Sequence, residues 1–550
     1  MSEVRTRTLP NGVDDPGTVD AVIVGAGFAG LYMLQRLRGL GFSTQVYEAG
    51  GDVGGTWYWN RYPGARCDVE SLEYSYSFSD ELQSDWRWTE RYASQPEILR
   101  YLNHVVERFD LRRNIRLKTR VTAANFDEAS NRWLIDTDGG ERVSAKFCIM
   151  ATGCLSAAKI PEYKGIDTFK GKHYHTGHWP HEGVDFTGQT VGVIGTGSSA
   201  IQSIPEIARQ AKQLYVFQRT PNFSVPAHNA PLSPEVIQDW HANLASYRHM
   251  ERTSAFGFMH EPSTKGALEV PPEERQREYE TRWQRGGFHM IGAFTDILLN
   301  KEANDTAAAF VRSKIRAIVR DPAVAEALMP TSYPIGTKRL CVDTDYFATF
   351  NRDNVTLVDL RATPIEAVTP LGVRTSGTEY SLDSIVFATG FDAMTGALCN
   401  IDIRGRAGVA LKNKWSEGPR TYLGLMIAGF PNLFTITGPG SPSVLSNMVV
   451  SIEQHVDWIA AGLAHLREHR LAVMEASLDA ENAWVTHVNE VGHQTLFPLA
   501  NSWYMGANIP GKPRVFMPYI GGVGPYRQKC DEVAAKGYEG FILSEAASYA

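Results

Sequence analysis

The sequence of 550 residues lacks the features that mark several classes of protein. Its formal net charge is −7 and it has no basic run, so nothing predicts a nucleic-acid partner. Its six cysteines are scattered without a C-x-x-C pair, which argues against a zinc site or a dithiol redox centre. No apolar run approaches membrane-spanning length, and the first nineteen residues lack the apolar core of a secretory signal. We therefore expect a cytoplasmic protein without a metal, a membrane anchor or a nucleic-acid partner.

What the sequence does contain is typical of a large globular protein. With 43% hydrophobic and 21% charged residues, its composition is ordinary, and its length predicts about two to four folding units.

A glycine-rich turn near the N-terminus predicts the first nucleotide site. An apolar strand over residues 21–24 leads into Gly25, Gly27 and Gly30 and then into a helical segment. Such glycines allow the backbone to approach a pyrophosphate, which the N-terminus of the helix favours electrostatically. A second strand ends at Glu48, eighteen residues after Gly30, where an acid would bond ribose hydroxyls. This site therefore suits a nucleotide with free ribose hydroxyls, such as FAD.

A second turn of the same design begins about a third of the way along the chain. Gly195, Gly197 and Ala200 follow the apolar segment TVGVI. The next strand leads to Arg219, nineteen residues after Ala200 and nearly at the place that Glu48 has in the first unit. An arginine would bind a 2′-phosphate that an acid would repel. The second site therefore suits NADPH.

Two segments beside these turns have unusual compositions. Residues 54–71 are rich in aromatics, glycines and charges without a helix or strand period, which predicts an ordered loop lining a site. Asp68 lies in this loop, although an aspartate is more commonly a helix cap or a surface acid. Residues 169–180 read F-x-G-x-x-x-H-x-x-x-W-P, which argues against a flexible linker because linkers are rich in Gly, Ser or Pro. Alone, this motif would indicate a packed turn with His175 bonded to backbone.

The segment 226–331 differs in composition from its surroundings. Ser233 followed by Pro234 predicts a helix start, and residues 271–285 and 304–329 have apolar residues spaced for one buried face. We expect a helical insertion whose long segments serve packing. The chain then returns at Lys338 and Arg339, which would usually form a solvated face but here lie next to a nucleotide unit.

Two later segments complete the candidate site. Residues 430–443 are predicted to form a strand and a Gly/Pro turn, followed by a helix from residue 444 to about residue 466. Residues 501–513 form a polar and aromatic loop that could cover a site.

Together these motifs resemble the flavin-dependent monooxygenases. The linker residues Phe169, Gly171, His175, Trp179 and Pro180 are similar to the Baeyer–Villiger monooxygenase signature, whereas the N- and S-oxygenating relatives lack its Trp-Pro ending. A second signature of that family is matched by Gly54, Gly55, Trp57, Arg61, Tyr62, Pro63, Gly64 and Asp68. The resemblance runs from about residue 20 to about residue 545. Residues 438–448 are more similar to the phenylacetone and steroid monooxygenases than to the cyclohexanone enzymes.

The resemblance implies an NADPH- and O₂-dependent enzyme that carries FAD. NADPH would reduce FAD, O₂ would add at flavin C4a as a peroxide, and a ketone would become an ester or lactone. The expected substrates are hydrophobic aryl, cyclic or steroid-like ketones, with sulfoxidation as a side activity. Arg339 matches the catalytic arginine of the family, and Asp68 matches its acidic partner. If Cys154 lines the pocket, it would alter substrate choice.

The resemblance also implies roles for further residues. Lys338 and Arg219 match the positions that read the 2′-phosphate, with Thr220 beside them, and Trp503 matches a residue of a mobile loop over the nicotinamide. His175 is expected to be structural and not a proton carrier. The residues predicted to bind FAD or NADPH are Gly25, Gly27, Phe28, Ala29, Gly30, Glu48, Gly55, Thr56, Trp57, Tyr62, Arg66, Asp68, Val121, Gly195, Thr196, Gly197, Ser198, Ser199, Arg219, Thr220, Lys338 and Trp503.

The predicted fold class is α/β, with two Rossmann-like dinucleotide-binding domains, for FAD and NADP, and a helical insertion in the NADP domain. The segments are a tail at 1–19, FAD-binding parts at 20–154 and 385–550, NADP-binding parts at 155–225 and 332–384, and the insertion at 226–331. The chain is expected to be a monomer or a weak homo-oligomer. Alternative functions are an N- or S-oxygenating flavin monooxygenase, a disulfide reductase (disfavoured by the missing C-x-x-C) and a catalytically silent flavoprotein.

Overall fold

A computed structural model describes residues 17–259 and 263–545 of the chain. Most of the predicted tail at 1–19, residues 260–262 of the predicted insertion and the last five residues of the segment 385–550 lie outside the described residues.

The strands are, in chain order, β1 Thr18–Val24, β2 Thr44–Tyr47, β3 Ile115–Arg116, β4 Val121–Asp127, β5 Arg132–Thr137, β6 Arg142–Met150, β7 Lys172–His175, β8 Thr190–Ile194, β9 Gln213–Gln218, β10 Ser224–Pro226, β11 Cys341–Asp343, β12 Val355–Asp359, β13 Ile365–Thr369, β14 Gly372–Thr375, β15 Glu379–Ser381, β16 Ser384–Phe387, β17 Asp402–Arg404, β18 Leu433–Thr435, β19 Leu471–Ala476 and β20 Phe541–Glu545.

The α-helices are α1 Phe28–Gly39, α2 Thr56–Trp59, α3 Asp80–Asp85, α4 Gln95–Arg108, α5 Ser198–Gln210, α6 Pro234–Thr253, α7 Pro272–Arg285, α8 Lys301–Ile318, α9 Pro322–Leu328, α10 Tyr346–Thr349, α11 Gly396–Cys399, α12 Leu411–Lys414, α13 Met448–Glu468, α14 Leu478–His493 and α15 Val523–Ala535.

The first glycine turn belongs to a sheet that has eight strands in the described part of the chain. The order is β17-β4-β5-β6-β1-β2-β3, and β18 also pairs with β6. Strand β6 pairs antiparallel with β5 through residues 142–145 and parallel with β18 through residues 148–150. Residues 21–24 of β1 are buried, as expected for a parallel strand covered on both faces. We call this sheet and its helices, which include α1 and α13, the first nucleotide unit.

The second glycine turn belongs to a five-stranded sheet, counted over the described residues, with the order β12-β9-β8-β16-β7. All its neighbouring strands are parallel. Strand β7 at its edge is part of the 169–180 motif, so that motif is a strand followed by a 3₁₀ turn at Thr176–His178. We call this sheet with helix α5 the second nucleotide unit. The predicted α/β class with two such units is confirmed.

The predicted insertion is helical. The chain enters it after β10 and returns at β11, and these two strands are paired. Strands β10 and β11 pair in parallel, and helices α6 to α9 lie between them in sequence. Helix α6 begins as predicted, because the hydroxyl of Ser233 accepts a hydrogen bond from the Val236 N–H at 3.4 Å. The predicted single segment 304–329 is instead two helices. Asp321 caps the second of them through the Ala323 N–H at 2.8 Å, and Pro322 occupies its first turn.

Two other predicted boundaries are wrong. The helix expected from residue 444 begins at Met448, because Asn447 caps it through the Val449 N–H at 3.1 Å. Val444 has a φ of +58°, which is outside a right-handed helix. Strand β1 begins at Thr18, three residues before the strand that the sequence predicted over residues 21–24.

Across the described ranges, no helix is both long and apolar enough to span a bilayer. No group of three or more His, Cys, Asp or Glu side chains in those ranges could hold a metal ion.

Candidate active site

The first glycine turn is tightly packed against its own unit. Helix α1 follows Gly27, and no side chain caps its N-terminus. A Cβ at Gly30 would lie 1.8 Å from the Gly25 carbonyl oxygen, and one at Gly25, whose φ is +106°, would lie 2.5 Å from the Ala151 carbonyl oxygen. Only glycine fits at these two positions. Phe28 and Ala29, in the first turn of α1, are buried next to them.

Glu48 is buried where strand β2 ends. Its two carboxylate oxygens accept hydrogen bonds from the Ala26 N–H at 2.8 Å and from the Gly50 N–H at 2.7 Å. Burial raises the pKa of Glu48 although both N–H bonds favour the charged form. Val121 lies close by, since the Thr119 N–H donates to the Glu48 carbonyl oxygen at 2.9 Å. The acid is therefore fixed at the edge of the turn, with lone pairs left for ribose hydroxyls.

The 54–71 loop is ordered and lies across the first turn. The Gly54 N–H donates to the Ala26 carbonyl oxygen at 3.0 Å, and a Cβ at Gly55 would lie 2.9 Å from Gly27 Cα. Thr56 and Trp57 begin helix α2 directly after this contact. The structure thus brings the predicted residues of this loop to the glycine turn.

The same loop reaches the second unit. The Tyr62 hydroxyl donates to Gln202 Oε1 on helix α5 at 2.9 Å. The Arg66 guanidinium is occupied by Glu90, at 3.0 Å, and by the Tyr92 carbonyl oxygen, at 2.8 Å. Arg66 is therefore anchored by protein groups, and any contact with a cofactor would use its remaining N–H groups.

The second glycine turn is as tight as the first at Gly195, where a Cβ would lie 2.5 Å from the Ala388 carbonyl oxygen, but it is more open at Gly197. Helix α5 follows Gly197 without a side-chain cap, and no described atom lies within 4 Å of a Cβ placed at Gly197. Thr196 donates from its hydroxyl to the Thr220 carbonyl oxygen at 2.8 Å, which ties the turn to the segment after β9. Ser198 contacts the thiol of Cys341 at 3.4 Å. This turn has space in front of the helix N-terminus.

Two cations lie beside the second turn without an acid to neutralise them. Arg219 is exposed directly after β9, where the sequence predicted it. The Lys338 ammonium lies 4.7 Å from the centre of the Tyr333 ring, and burial and the charge of Arg219 lower the pKa of Lys338. Within residues 17–259 and 263–545, neither side chain forms a salt bridge. This pair suits an anion such as a phosphate.

Arg339 and Asp68, which are 271 positions apart in sequence, form a bidentate ion pair. Arg339 Nη2 lies 2.8 Å from Asp68 Oδ1, and Nε lies 2.9 Å from Oδ2. The third nitrogen, Nη1, donates to the Val444 carbonyl oxygen at 2.8 Å, and the guanidinium lies 4.5 Å from the centre of the Phe288 ring. Burial opposes the charge of Arg339, but Asp68 outweighs it and raises the pKa of Arg339. The guanidinium is therefore held rigidly and stays charged.

An aromatic cavity opens onto Arg339. Phe256 and Phe258, which follow helix α6, and Phe288 form part of its wall, together with Leu445 and Tyr504. The rings of Phe256 and Phe258 are stacked with their centres 5.9 Å apart. The insertion, which the sequence predicted to serve packing, therefore also supplies a wall of the site.

Sequence reasoning missed two neighbours of Arg339. Tyr504 lines the same cavity as the guanidinium, and burial raises the pKa of Tyr504 to about 12 while the charge of Arg339 opposes that rise. Its neighbour Trp503 was predicted, so the aromatic pair in the 501–513 loop was a usable signal. No sequence signal pointed to the Val444 carbonyl, because its position depends on the unusual backbone conformation of Val444.

Cys154 does not line the aromatic cavity. It is buried, its thiol lies 3.3 Å from the Ser443 hydroxyl, and it packs in the same apolar cluster as Val444 and Tyr504. An effect on substrate choice would have to act through these neighbours.

His175 is held by the backbone on both sides of its ring. Nδ1 accepts from the Gly177 N–H at 3.0 Å, so Nε2 carries the proton and donates to the Lys159 carbonyl oxygen at 3.1 Å. Burial and the nearby His178 lower the pKa of His175 to about 4. Because the ring is neutral and both of its nitrogens bond backbone groups, these contacts favour the expected structural role of His175.

The chain has two glycine turns, each after a strand with parallel neighbours, and an ion pair at an apolar cavity. These features define a class of oxidoreductases with two dinucleotide-binding units. Residues 22–270 match the family described as pyridine nucleotide-disulphide oxidoreductase. The chain is 45% identical to a Baeyer–Villiger monooxygenase of Pseudooceanicola batsensis, over 96% of this chain and 97% of that protein. The chain belongs to the Baeyer–Villiger monooxygenase family, as the sequence predicted.

Solved structures agree in sequence and fold. An oxidised steroid monooxygenase bound to NADP is 54% identical, with a TM-score of 0.93 over 96% of this chain and 100% of that chain. OTEMO in complex with FAD and NADP is 42% identical, with a TM-score of 0.93 and the same coverage. All six cysteines lie in the described part of the chain, and none of them is paired there.

Proposed function

We propose that this chain is an NADPH- and O₂-dependent flavin monooxygenase that inserts one oxygen atom beside a ketone carbonyl to give an ester or lactone. The observation that carries the proposal is the Arg339–Asp68 ion pair, placed at an aromatic cavity. Family membership supports it, and so do the cofactors named for the similar structures.

FAD fits the first nucleotide unit. The uncapped start of helix α1 can accept a pyrophosphate, Gly25 and Gly30 leave the backbone free to approach it, and Glu48 is fixed for ribose hydroxyls. The other residues that would hold it are Phe28, Ala29, Gly55, Thr56, Trp57, Tyr62, Arg66, Asp68 and Val121.

NADPH fits the second unit. Its pyrophosphate would lie at the start of helix α5, near Gly195, Thr196, Gly197, Ser198 and Ser199. Arg219 and Lys338, with Thr220 beside them, would bind the 2′-phosphate because no acid neutralises them in the described structure. Trp503 in the 501–513 loop would cover the nicotinamide.

FAD, held by the first nucleotide unit and reduced by NADPH, would supply the chemistry that activates O₂ for transfer of one oxygen atom to the ketone. The residues of the chain provide the electrostatic setting. Arg339 remains charged and would stabilise the negative oxygen that develops at the ketone carbonyl. Asp68 occupies two of its donors and thereby fixes the orientation of the guanidinium. The aromatic wall excludes water from this charge.

The same wall suits hydrophobic aryl, cyclic or steroid-like ketones. We also propose sulfoxidation as a side activity, because a sulfide of similar shape can enter an apolar cavity.

Product analysis under ¹⁸O₂ tests the proposed function. The FAD-loaded enzyme would receive NADPH and a panel of aryl, cyclic and steroid ketones, with a sulfide and an amine for comparison. Mass spectrometry should find an ester or lactone with one labelled oxygen. NADPH consumption that yields only hydrogen peroxide from every ketone would contradict the proposal.

Arg339→Ala tests the site directly. It should still allow NADPH to reduce the flavin, while ester formation falls on the order of 10²–10³-fold because a fixed charge is lost. Stopped-flow absorbance measures the reduction, and gas chromatography measures the ester. Exposed Arg361, which pairs with Asp359, offers a control in Arg361→Ala. An unchanged ester yield in Arg339→Ala would remove the arginine from the mechanism.

A further inference from the structure

Residues 254–259, which we call the wall segment, carry two of the phenylalanines of the cavity. The first part of the segment is fixed by main-chain groups. The Val523 N–H donates to the Ala255 carbonyl oxygen at 3.0 Å, and the Asn447 N–H donates to the Phe256 carbonyl oxygen at 2.8 Å. Because both bonds join main-chain atoms, a change of side chain leaves their donors and acceptors in place.

The second part of the wall segment is held by the side chain of Glu73. Glu73 Oε2 accepts a hydrogen bond from the Met259 N–H, directly after Phe258, at 2.8 Å. Glu73 is 4% exposed and lies five residues after Asp68 in the sequence. One buried carboxyl group thus connects the aromatic wall to the part of the chain that supplies the partner of Arg339.

The main chain of Glu73 contacts a third side of the cavity. Its carbonyl oxygen accepts from Asn447 Nδ2 at 2.8 Å, and the other amide atom, Asn447 Oδ1, caps helix α13. Shortly before this cap lie Val444, whose carbonyl oxygen accepts from Arg339, and Leu445, which lines the cavity. Glu73 is therefore bonded to the wall segment and to the segment that bonds the guanidinium.

The carboxyl group of Glu73 favours its neutral form. Within residues 17–259 and 263–545 it forms no salt bridge, and the neighbouring Arg248 is paired with Glu251 at 2.9 Å. Burial, and then the charges of Glu251 and Glu70, raise the pKa of Glu73, and the Met259 N–H and Arg248 only partly oppose this. A glutamine side chain, which is neutral and keeps an acceptor oxygen, is therefore a close substitute.

We propose that Glu73 is a positioning residue that holds the aromatic wall at the ketone site and thereby sets a preference for ketones with a bulky apolar group. The inference rests on the function proposed above. In the described structure Glu73 does not line the cavity, so it acts through Phe258. A fixed wall keeps its rings in contact with an aryl group, whereas a small ketone makes few of these contacts.

The test compares butanone with benzylacetone, which is butanone carrying a phenyl group. Glu73→Leu has a side chain of similar size that cannot accept the Met259 N–H. In the FAD-loaded variant, kcat/KM for benzylacetone relative to butanone should fall roughly tenfold, as expected for one lost hydrogen bond. The change should come mainly from KM for benzylacetone. Amide hydrogen exchange of residues 255–259 should become faster, because the Met259 N–H loses its acceptor.

Two further variants separate the hydrogen bond from general damage. Glu73→Gln keeps the acceptor, so it should restore both the ketone ratio and slow exchange in the wall segment. Asn447→Ser keeps an oxygen that can cap helix α13 and loses the amide donor to Glu73. It should shift the ketone ratio in the same direction as Glu73→Leu, and it decides the question if Glu73→Leu does not fold.

Glu481 provides a matched control. It is a buried glutamate that accepts a main-chain N–H, from Ala428 at 2.9 Å, and it pairs with Lys414 away from the cavity-lining residues. Glu481→Gln should lower the melting temperature and leave the ketone ratio unchanged. An equal shift of the ratio in Glu481→Gln and Glu73→Leu would overturn the inference, because lost stability alone would explain it.

The remaining outcomes separate this inference from the proposed function. Ester formation with an unchanged ketone ratio in Glu73→Leu and Asn447→Ser would overturn the role of Glu73 and leave the proposed function intact. A Glu73→Gln protein that behaves like Glu73→Leu would also overturn that role. No ester from either ketone with the wild type would overturn the proposed function and the inference together.

Discussion

The two nucleotide units share one design but differ at two matched positions. In each, a buried parallel strand leads through glycines to an uncapped helix, and a second parallel strand follows. The third glycine of the first unit, Gly30, corresponds to Ala200 in the second. The residue after the second strand is buried Glu48 in one unit and exposed Arg219 in the other.

These differences indicate that the two units hold their cofactors with different tightness. Glu48 is bonded on both oxygens to its own turn, and Gly30 has no room for a methyl group, so the first unit is closely fitted. The second unit has open space at Gly197 and cations without acids. We expect the first to retain its cofactor through purification and the second to exchange its cofactor in every catalytic cycle.

The largest expected effect comes from exchanging the residues at the third glycine position. Gly30→Ala places a methyl group against the Gly25 carbonyl and should destabilise the first unit by roughly 3 kcal/mol or more, with loss of FAD. The matched Ala200→Gly should cost only about 0.5–1 kcal/mol, the usual penalty for glycine inside a helix. Flavin content and thermal melting measure both. A Gly30→Ala protein with normal FAD and melting would show that the two turns are equally tolerant.

A smaller effect should follow from Arg219→Ala. Losing one charged hydrogen bond to the 2′-phosphate should raise the Kd for NADP⁺ roughly ten- to a hundredfold and leave the Kd for NAD⁺ nearly unchanged. Isothermal titration of the FAD-loaded enzyme measures both constants. Lys212→Ala, at an exposed position just before β9, is the control. Equal losses for the two nucleotides would mean that Arg219 does not read the phosphate.

The smallest effect concerns pH. Each unit holds a buried neutral histidine: the pKa of His175 is lowered to about 4 and that of His455 to about 3, mainly by burial. Below the ordinary histidine pKa of about 6.5, the unfolded chain binds protons that these folded rings do not. Their contribution is therefore fully present above about pH 6.5 and falls as pH decreases, by up to roughly 1.4 kcal/mol per pH unit for each ring.

His175→Gln isolates this contribution in the second unit. Glutamine can still donate to the Lys159 carbonyl oxygen, so the variant should fold and lose stability less steeply between pH 6.5 and pH 4.5 than the wild type. Melting temperatures across that range measure the difference. Parallel curves for the two proteins would show that His175 is not a neutral buried ring.

The local parts of this structure were predictable from sequence. Each glycine turn is specified within about thirty residues, because strand, turn, helix and second strand follow one another directly. Glu48 and Arg219 each come directly after the second strand of their unit, as the residue spacing in the sequence predicted. The pairing of Arg339 with Asp68 was reached only through the family resemblance, since no local pattern joins positions so far apart.

Other features depend on the folded chain. The helix expected at residue 444 starts at Met448 because the Asn447 cap and the left-handed Val444 compete with helix propensity. Tyr504 shares the cavity with Arg339 only because its loop packs there, and Phe256 and Phe258 face the cavity from a segment between helices. The six segment boundaries and the oligomeric state stay predictions.

The paired strands β10 and β11 bring the two ends of the insertion side by side. A segment whose ends are neighbours can lengthen, shorten or be exchanged without stretching the protein that carries it. Phe256, Phe258 and Phe288 all belong to that segment, whereas both glycine turns lie outside it. Substitutions and length changes in this segment can therefore alter the aromatic wall of the cavity without changing the residues of the two glycine turns. Chimeras joined at this strand pair should likewise exchange the wall and keep the cofactor sites.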